Sequence, residues 1–275
     1  MSESPLIANK VTVGYRDRTI LEDLSVEIPA DSLTMIIGPN GCGKSTLLSS
    51  FARLLRPKSG EILLNGDDVA RLSAKQIARR LSLLPQTAIV PSGVTVASLV
   101  ARGRFPHQRM FQQWTPDDES AVIGAMAATE TADLADRFVD ELSGGQRQRV
   151  WLAMLLAQQT DVLLLDEPTS FLDIAHQFDL LELLRTLHEQ GRTQVVVLHD
   201  LNQAARYATH LIVMRDGEVV TTGPPDEVIT ADLVRDVFDI DALVVPDPVT
   251  GTPSVVPLDP RTAPKASPPA DRPRS

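Results

Sequence analysis

The chain of 275 residues has one cysteine, Cys42, so it can close no internal disulfide and build no multi-cysteine metal site. It has no surplus of basic residues. Lys and Arg total 26 against 36 Asp and Glu, a formal charge of −10, and no basic run stands out. That balance argues against a dedicated nucleic-acid binder or a polybasic membrane-surface protein. Long apolar runs are missing as well: stretches such as 151–157 and 162–165 fall far short of the ~18 residues needed to cross a bilayer. The opening Met1-Ser-Glu-Ser-Pro-Leu6 lacks the basic and then apolar segments of a secretory signal, and there is no internal repeat. Together these absences predict a cytosolic chain that meets a membrane only through a partner. What is present is ordinary for a globular protein. At 43% hydrophobic and 23% charged residues, a chain of this length can bury a sizeable core without staples.

Short continuous apolar runs recur at 33–37, 81–84, 162–165, 195–198 and 211–214, alternating with helical patterns. Runs of this kind predict strands buried on both faces, as in a parallel sheet covered by helices. Leu24-Ser-Val-Glu-Ile28 instead alternates, as an antiparallel strand with one wet face does. Asp216-Gly217 predicts a tight hairpin, and Val249-Thr-Gly-Thr252, flanked by Leu243-Val-Val and Ser254-Val-Val, predicts a last small one. Residues from about 88 to 160 lack buried-strand runs through most of their length and predict a helical insertion. The segment 258–275, with five prolines after Asp259, predicts a disordered tail and leaves 1–257 as the folded unit.

Gly38-Pro39-Asn40-Gly41-Cys42-Gly43-Lys44-Ser45-Thr46 fits the spacing G-x-x-x-x-G-K-[ST]. It follows the apolar run 33–37 and precedes a helix expected to place Leu47, Leu48, Phe51, Leu54 and Leu55 on one face before Pro57 ends it. Glycines let backbone N–H groups turn inward around phosphate oxygens, and the helix N-terminus adds partial positive charge. Lys44 would neutralise β- and γ-phosphates, and Ser45 would offer its hydroxyl to Mg²⁺. Cys42 fits this loop by size and needs no chemical role; a thiol whose oxidation blocks nucleotide is the alternative.

Asp161-Val-Leu-Leu-Leu-Asp166-Glu167-Pro168 is an apolar strand ending in two acids. Adjacent carboxylates at the end of a buried strand need partners or an ion. Asp166 would be an outer ligand of Mg²⁺ and Glu167 would polarise an attacking water, a role worth about 10²–10⁴ in rate. Acids enriched at a helix start before Pro168 are the plainer explanation. Leu142-Ser143-Gly144-Gly145-Gln146 combines a capping box with two glycines. It reads as a well-capped helix, and the glycines also suit a ligand that approaches the backbone at a second phosphate-binding helix end.

With these three motifs together, residues 6–225 resemble the ATP-binding cassette family of transporter ATPases. The resemblance implies an α/β fold: a P-loop NTPase core with a mainly parallel sheet, an N-terminal antiparallel β subdomain and an inserted helical subdomain. It implies ATP and Mg²⁺ as ligands. It also implies a head-to-tail homodimer in which Ser143, Gly144, Gly145 and Gln146 of one copy close over ATP held by Gly38 to Thr46 of the other. Tyr15 matches the aromatic residue that stacks on adenine, a contact worth ~1–3 kcal/mol per base in comparable systems. Gln86 matches the glutamine that touches Mg²⁺ and relays to the membrane partner. His199 matches the histidine at the γ-phosphate. Ser170-Phe-Leu-Asp173 matches the dimer-contact loop, with Phe171 where alanine is usual. Glu167, His199, Lys44 and Gln86 thus form the expected catalytic set, and Ser45, Gln86 and Asp166 the expected metal set.

The chain has one nucleotide-binding unit, so the resemblance implies separate partners: two permease subunits, an extracytoplasmic substrate-binding protein, and a place at the cytoplasmic face of the membrane. Ala101-Arg-Gly-Arg-Phe-Pro-His107 resembles a segment of ferric-siderophore, haem and cobalamin importers, and Asp247-Pro-Val-Thr-Gly-Thr-Pro253 resembles the C-terminal end of iron-siderophore cassettes. For the first, a helix end followed by a Pro turn with solvated arginines is the alternative. The resemblance points to ferric siderophore import, with haem or cobalamin as alternatives. A soluble cassette of DNA repair or translation would call for coiled-coil insertions or fused cassettes with basic linkers, which are absent. A non-catalytic scaffold would be expected to lack Glu167.

Overall fold

The computed structural model describes residues 4–16, 18–87, 92–108, 114–170 and 172–259. Phe171 and nearly all of the proline-rich tail lie outside these. Three layers build the molecule. An antiparallel sheet in the order β2-β1-β4-β5 comprises β1 (Leu6–Tyr15), β2 (Arg18–Ile28), β4 (Ser59–Leu64) and the short β5 (Asp67–Asp68). The central six-stranded sheet runs β10-β9-β3-β8-β7-β6, from β3 (Leu33–Ile37), β6 (Leu81–Leu84), β7 (Val162–Asp166), β8 (Thr193–Val197), β9 (His210–Arg215) and β10 (Glu218–Gly223). Five of its strands are parallel; β10 alone turns back against β9 through Asp216 and Gly217, both at positive φ, as a two-residue hairpin demands.

The helices are α1 (Lys44–Phe51), α2 (Ala74–Ala78), α3 (Val96–Ala101), α4 (Pro116–Ala128), α5 (Gly144–Ala157), α6 (Ile174–Glu189), α7 (Leu201–Tyr207), α8 (Pro225–Val228) and α9 (Ala231–Phe238). A third, two-stranded sheet pairs β11 (Ala242–Pro246) with β12 (Pro253–Pro257).

The alternation of side chains along the central strands divides the core in two. Leu163 and Leu165 of β7 face one cluster with α6 and α7, while Val162 and Leu164 face another with α1 and the antiparallel sheet. All five residues of β3, β7 and β8 are buried, which is why these strands are mostly apolar rather than alternating, with Thr34, Asp166, Thr193 and Gln194 as their buried polar members. A third cluster, formed by α3, α4 and α5, uses Val150, Ala153 and Ala157 as the inner stripe of α5. The helix after the glycine loop is shorter than its sequence suggests. It ends at Phe51, Arg53 takes a left-handed φ of 55°, and Leu54 is 70% exposed instead of joining Leu47 and Leu48 in the core.

In the segment 101–107 Arg102 is half-buried and Arg104 is not solvated. Arg104 is buried. Its Nε donates to Asp118 of α4 at 2.8 Å, and Nη1 donates to the Ala157 carbonyl and to Gln159 Oε1, each at 2.8 Å. Gly103 lies so close to α5 that a Cβ would stand 2.3 Å from the Met154 carbonyl oxygen. His107 Nε2 meets the Gln158 carbonyl at 2.8 Å, and Arg79 donates to the Pro106 carbonyl at 2.8 Å. The motif is a clasp that fastens α3 and α4 to the end of α5.

Candidate nucleotide site

Parallel strands release their carboxyl ends at one edge of a sheet, and ligands of α/β proteins collect there. Here β3, β8, β7 and β6 lie side by side in that order. The glycine loop follows β3, His199 follows β8, Asp166 and Glu167 end β7, and Gln86 follows β6. Residues scattered over more than 160 positions of sequence therefore meet along one edge.

The glycine loop wraps a cavity of about 300 Å³ lined by Asn40, Gly41, Gly43, Lys44, Ser45 and Thr46 together with Glu167 and His199. Gly43 caps α1 at φ 106°, and a Cβ there would strike Leu21 at 2.5 Å, so both its torsion and its space require glycine. Lys44 is buried, with Nζ donating to the Gly38 and Pro39 carbonyls at 2.8 and 2.9 Å. The loop is also braced from the β9–β10 hairpin, whose Gly217 N–H donates to the Cys42 carbonyl at 3.1 Å. Burial pushes the Cys42 thiol up from its ordinary value against the opposing pull of Lys44, so the reactive thiolate is disfavoured.

Ser45 Oγ donates to Asp166 Oδ1 at 2.9 Å. Burial raises the Asp166 carboxyl above the usual range; the Ser45 hydrogen bond opposes this and the neighbouring Glu167 charge adds to it. Glu167 occupies the left-handed region at φ 49°, a strain of about 1–3 kcal/mol that clusters at functional sites. Three groups converge on its carboxylate. Gln86 Nε2 donates to Oε2 at 2.6 Å, Ser170 Oγ donates to the same oxygen at 3.1 Å, and His199 Nε2 lies 2.6 Å from Oε1.

Most of the expected residues thus meet, with differences. Gln86 reaches Glu167, and neither Ser45 nor Asp166 is its hydrogen-bond partner. Tyr15 is 53% exposed and lies outside the cavity lining; Arg18, which pairs with it across the β1–β2 turn, lines the cavity together with Ile20. Neither Arg18 nor Ile20 is expected from sequence. Ser170, expected only in the dimer-contact loop, also reaches Glu167.

Ser143, Gly144, Gly145 and Gln146 do not line this cavity. They open α5, with the Ser143 hydroxyl accepting from Gln146 N–H and the Gln146 amide oxygen accepting from Ser143 N–H, both at 3.2 Å. Gly145 has a reason within the chain: a Cβ would sit 2.7 Å from the His176 ring of α6. His176 is itself held by Asp173, whose Oδ1 lies 2.6 Å from Nδ1.

The ABC transporter family model matches residues 21–170, from β2 through the glycine loop, the Ser143 helix and the Glu167 carboxylate. The chain belongs to the ABC transporter family. The ferric enterobactin transport ATP-binding protein FepC of Escherichia coli (strain K12) is 52% identical over 267 residues, 97% of this chain and 98% of its own. Among solved structures, a chain of a metal-chelate type ABC transporter in an inward-facing conformation superposes with a TM-score of 0.80 at 25% identity, covering 94% of this chain and 98% of its own. The dimeric bacterial cassette MJ0796 gives 0.71 at 26% identity, covering 80% and 98%. This chain is accordingly an ATP-binding, ATP-hydrolysing subunit of the ABC type. Among the described residues no helix is long and apolar enough to cross a membrane.

Proposed function

We propose that this chain drives the import of ferric siderophores by hydrolysing ATP between two copies of itself beneath separate permease subunits. The observation that carries the catalytic part is the convergence of Gln86, Ser170 and His199 on the carboxylate of Glu167, at the wall of a cavity made by the glycine loop. Glu167 is oriented from both oxygens, which suits a base that must hold one water in line with a phosphoryl group. His199, next to it, would contact the γ-phosphate, and Lys44 would exchange its two loop carbonyls for phosphate oxygens.

The oxygens of Ser45 and Asp166 suit Mg²⁺, a hard cation that takes few protein ligands and keeps water and substrate oxygens for the rest. Ser45 would be a direct ligand and Asp166 an outer one, with Gln86 beside them. When bound, the ion neutralises charge on the phosphates. Tyr15 would stack on adenine from outside the phosphate cavity.

A single glycine loop leaves the γ-phosphate open on one side. The capped end of α5 stands apart from the cavity of its own chain, so Ser143 to Gln146 would complete the site of a second copy, with the two chains head to tail. The functional unit would be residues 1–257, with about 88–160 as the helical part facing the permease at the cytoplasmic face of the membrane. An extracytoplasmic binding protein would supply the chelate. The siderophore assignment draws on FepC and on the metal-chelate transporter. Its test is uptake of radioactive iron bound to catecholate or hydroxamate siderophores by cells carrying wild-type or Glu167→Gln protein. The expected result is loss of siderophore-bound iron uptake with cobalamin uptake intact; unchanged iron uptake contradicts the assignment.

A further inference from the structure

The β11–β12 hairpin pairs with no other strand of the described fold; it is a sheet of its own, set against α7 and α9. Its loop is the Asp247-Pro-Val-Thr-Gly-Thr-Pro253 segment. Asp247 Oδ1 accepts from the N–H groups of Val249 and Thr250 at 2.9 Å, and Asp247 N–H donates to the Thr252 carbonyl at 2.7 Å. No residue of this segment lines the nucleotide cavity.

Among the described residues, the side chain of Asn202 ties the hairpin to α7. Asn202 Oδ1 accepts from Val255 N–H at 2.7 Å, and Asn202 Nδ2 donates to the Val255 carbonyl at 3.2 Å. Two bonds from one planar amide to one residue's backbone fix distance and orientation together. Val255 is buried in the same cluster as Leu198, Ala204 and Ala205, so apolar packing seats the hairpin while the amide sets its register.

Asn202 lies three residues beyond His199, in the first turn of α7. That helix has seven residues, too few to hold its own shape without tertiary support. Asp200 caps it by accepting from Gln203 N–H at 2.9 Å, so the backbone from His199 into the helix is one tight unit. His199 must stand within 2.6 Å of Glu167 on one side of that unit, and Asn202 grips the hairpin on the other.

We infer that Asn202 is a positioning residue for His199, and that the C-terminal hairpin sets the rate of hydrolysis by holding the start of α7 in place. This rests on the role proposed above for His199. Misplacing a catalytic group by about 1 Å can slow a reaction by up to about 10²-fold, so a distant clamp can matter to turnover.

The test compares steady-state ATP turnover and thermal unfolding of the full-length chain as wild type, Asn202→Ala, Val255→Pro, His199→Ala and the Asn202→Ala/His199→Ala pair. Val255 gives its N–H and carbonyl to Asn202, not to β11, so proline there removes one clamp bond while sparing the hairpin ladder. Asn202→Ala and Val255→Pro are each expected to lower kcat about tenfold with KM for ATP changed less than about twofold. The double variant is expected to be no slower than His199→Ala alone. If Asn202→Ala fails to fold, Val255→Pro carries the comparison. Wild-type kcat in a folded clamp variant, with His199→Ala impaired, overturns the inference and leaves the role of His199 standing. A further tenfold loss in the double variant also overturns it, because Asn202 would then act elsewhere. Wild-type turnover in His199→Ala overturns the role of His199 itself.

Discussion

Asp166 is held where its charge is disfavoured. It is 8% exposed, beside Glu167, and its carboxyl is raised by burial first. A carboxyl whose folded value exceeds its unfolded one favours folding at pH below the unfolded value and loses that contribution as pH rises through the folded one. At neutral pH the ionised Asp166 therefore opposes folding. Asp166→Asn is expected to raise Tm at pH 7, by about 2–4 °C for each kcal/mol gained in a chain of this size, while ATP turnover falls steeply. Thermal unfolding at pH 7 and at pH 4 checks this: the gain should shrink at the lower pH, where the wild-type carboxyl takes up a proton. A lower Tm at pH 7 would contradict it. At this scale the glycine loop and the strand ending in two acids were legible as patterns, because each restricts locally which residues can form it. The sequence did not show that Gln86 reaches Glu167, or that Arg18 lines the cavity. Those contacts depend on which strands become neighbours, which no local pattern encodes.

The elements show where local pattern misleads. The buried strands were legible because burial on both faces leaves continuous apolar runs, and the Asp216-Gly217 hairpin was legible because its torsions restrict the residue choice. The end of α1 was not, since the apolar periodicity runs on to Leu54 and Leu55 although the helix stops at Phe51. The arginines at 102 and 104 look solvated in a charged, proline-bounded segment, yet Arg104 finds Asp118 fourteen residues away, and the Arg104 and Asp118 side chains are only 6% and 7% exposed. Removing one member of such a pair strands the other. Arg104→Ala is expected to destabilise the chain by about 3–5 kcal/mol, while replacing both by Met and Leu should be far milder. The Arg104 hydrogen bond leads the causes that hold Asp118 below the usual carboxylate range. Its contribution is fully present above the ordinary carboxylate value and is lost as pH falls through the lowered folded one. Denaturant titrations at pH 7 and pH 3 should therefore show the Arg104→Ala deficit narrowing in acid; an equal deficit at both would contradict the account.

At the scale of the whole molecule, the sheet edge gathers a glycine loop, a bracketed carboxylate and a histidine, whereas the capped α5 end with its Ser143-to-Gln146 motif stands outside that cavity. On the proposed reading, one copy would present two unlike halves of a phosphate site in different places. The sequence contains both halves, but their separation within one chain is a property of packing: α5 joins the helical cluster through Val150, Ala153 and Ala157 and is set against α6 by Gly145 on His176. Two copies arranged head to tail would bring each half to the other's partner. The most direct measurement is sedimentation velocity of purified Glu167→Gln protein with and without MgATP, with nucleotide binding followed alongside. The account predicts that this variant binds ATP, barely turns it over, and shifts from monomer to dimer when ATP is added. A variant that binds ATP yet stays monomeric at every concentration, beside a wild-type chain that hydrolyses ATP at full rate as a monomer, would contradict it.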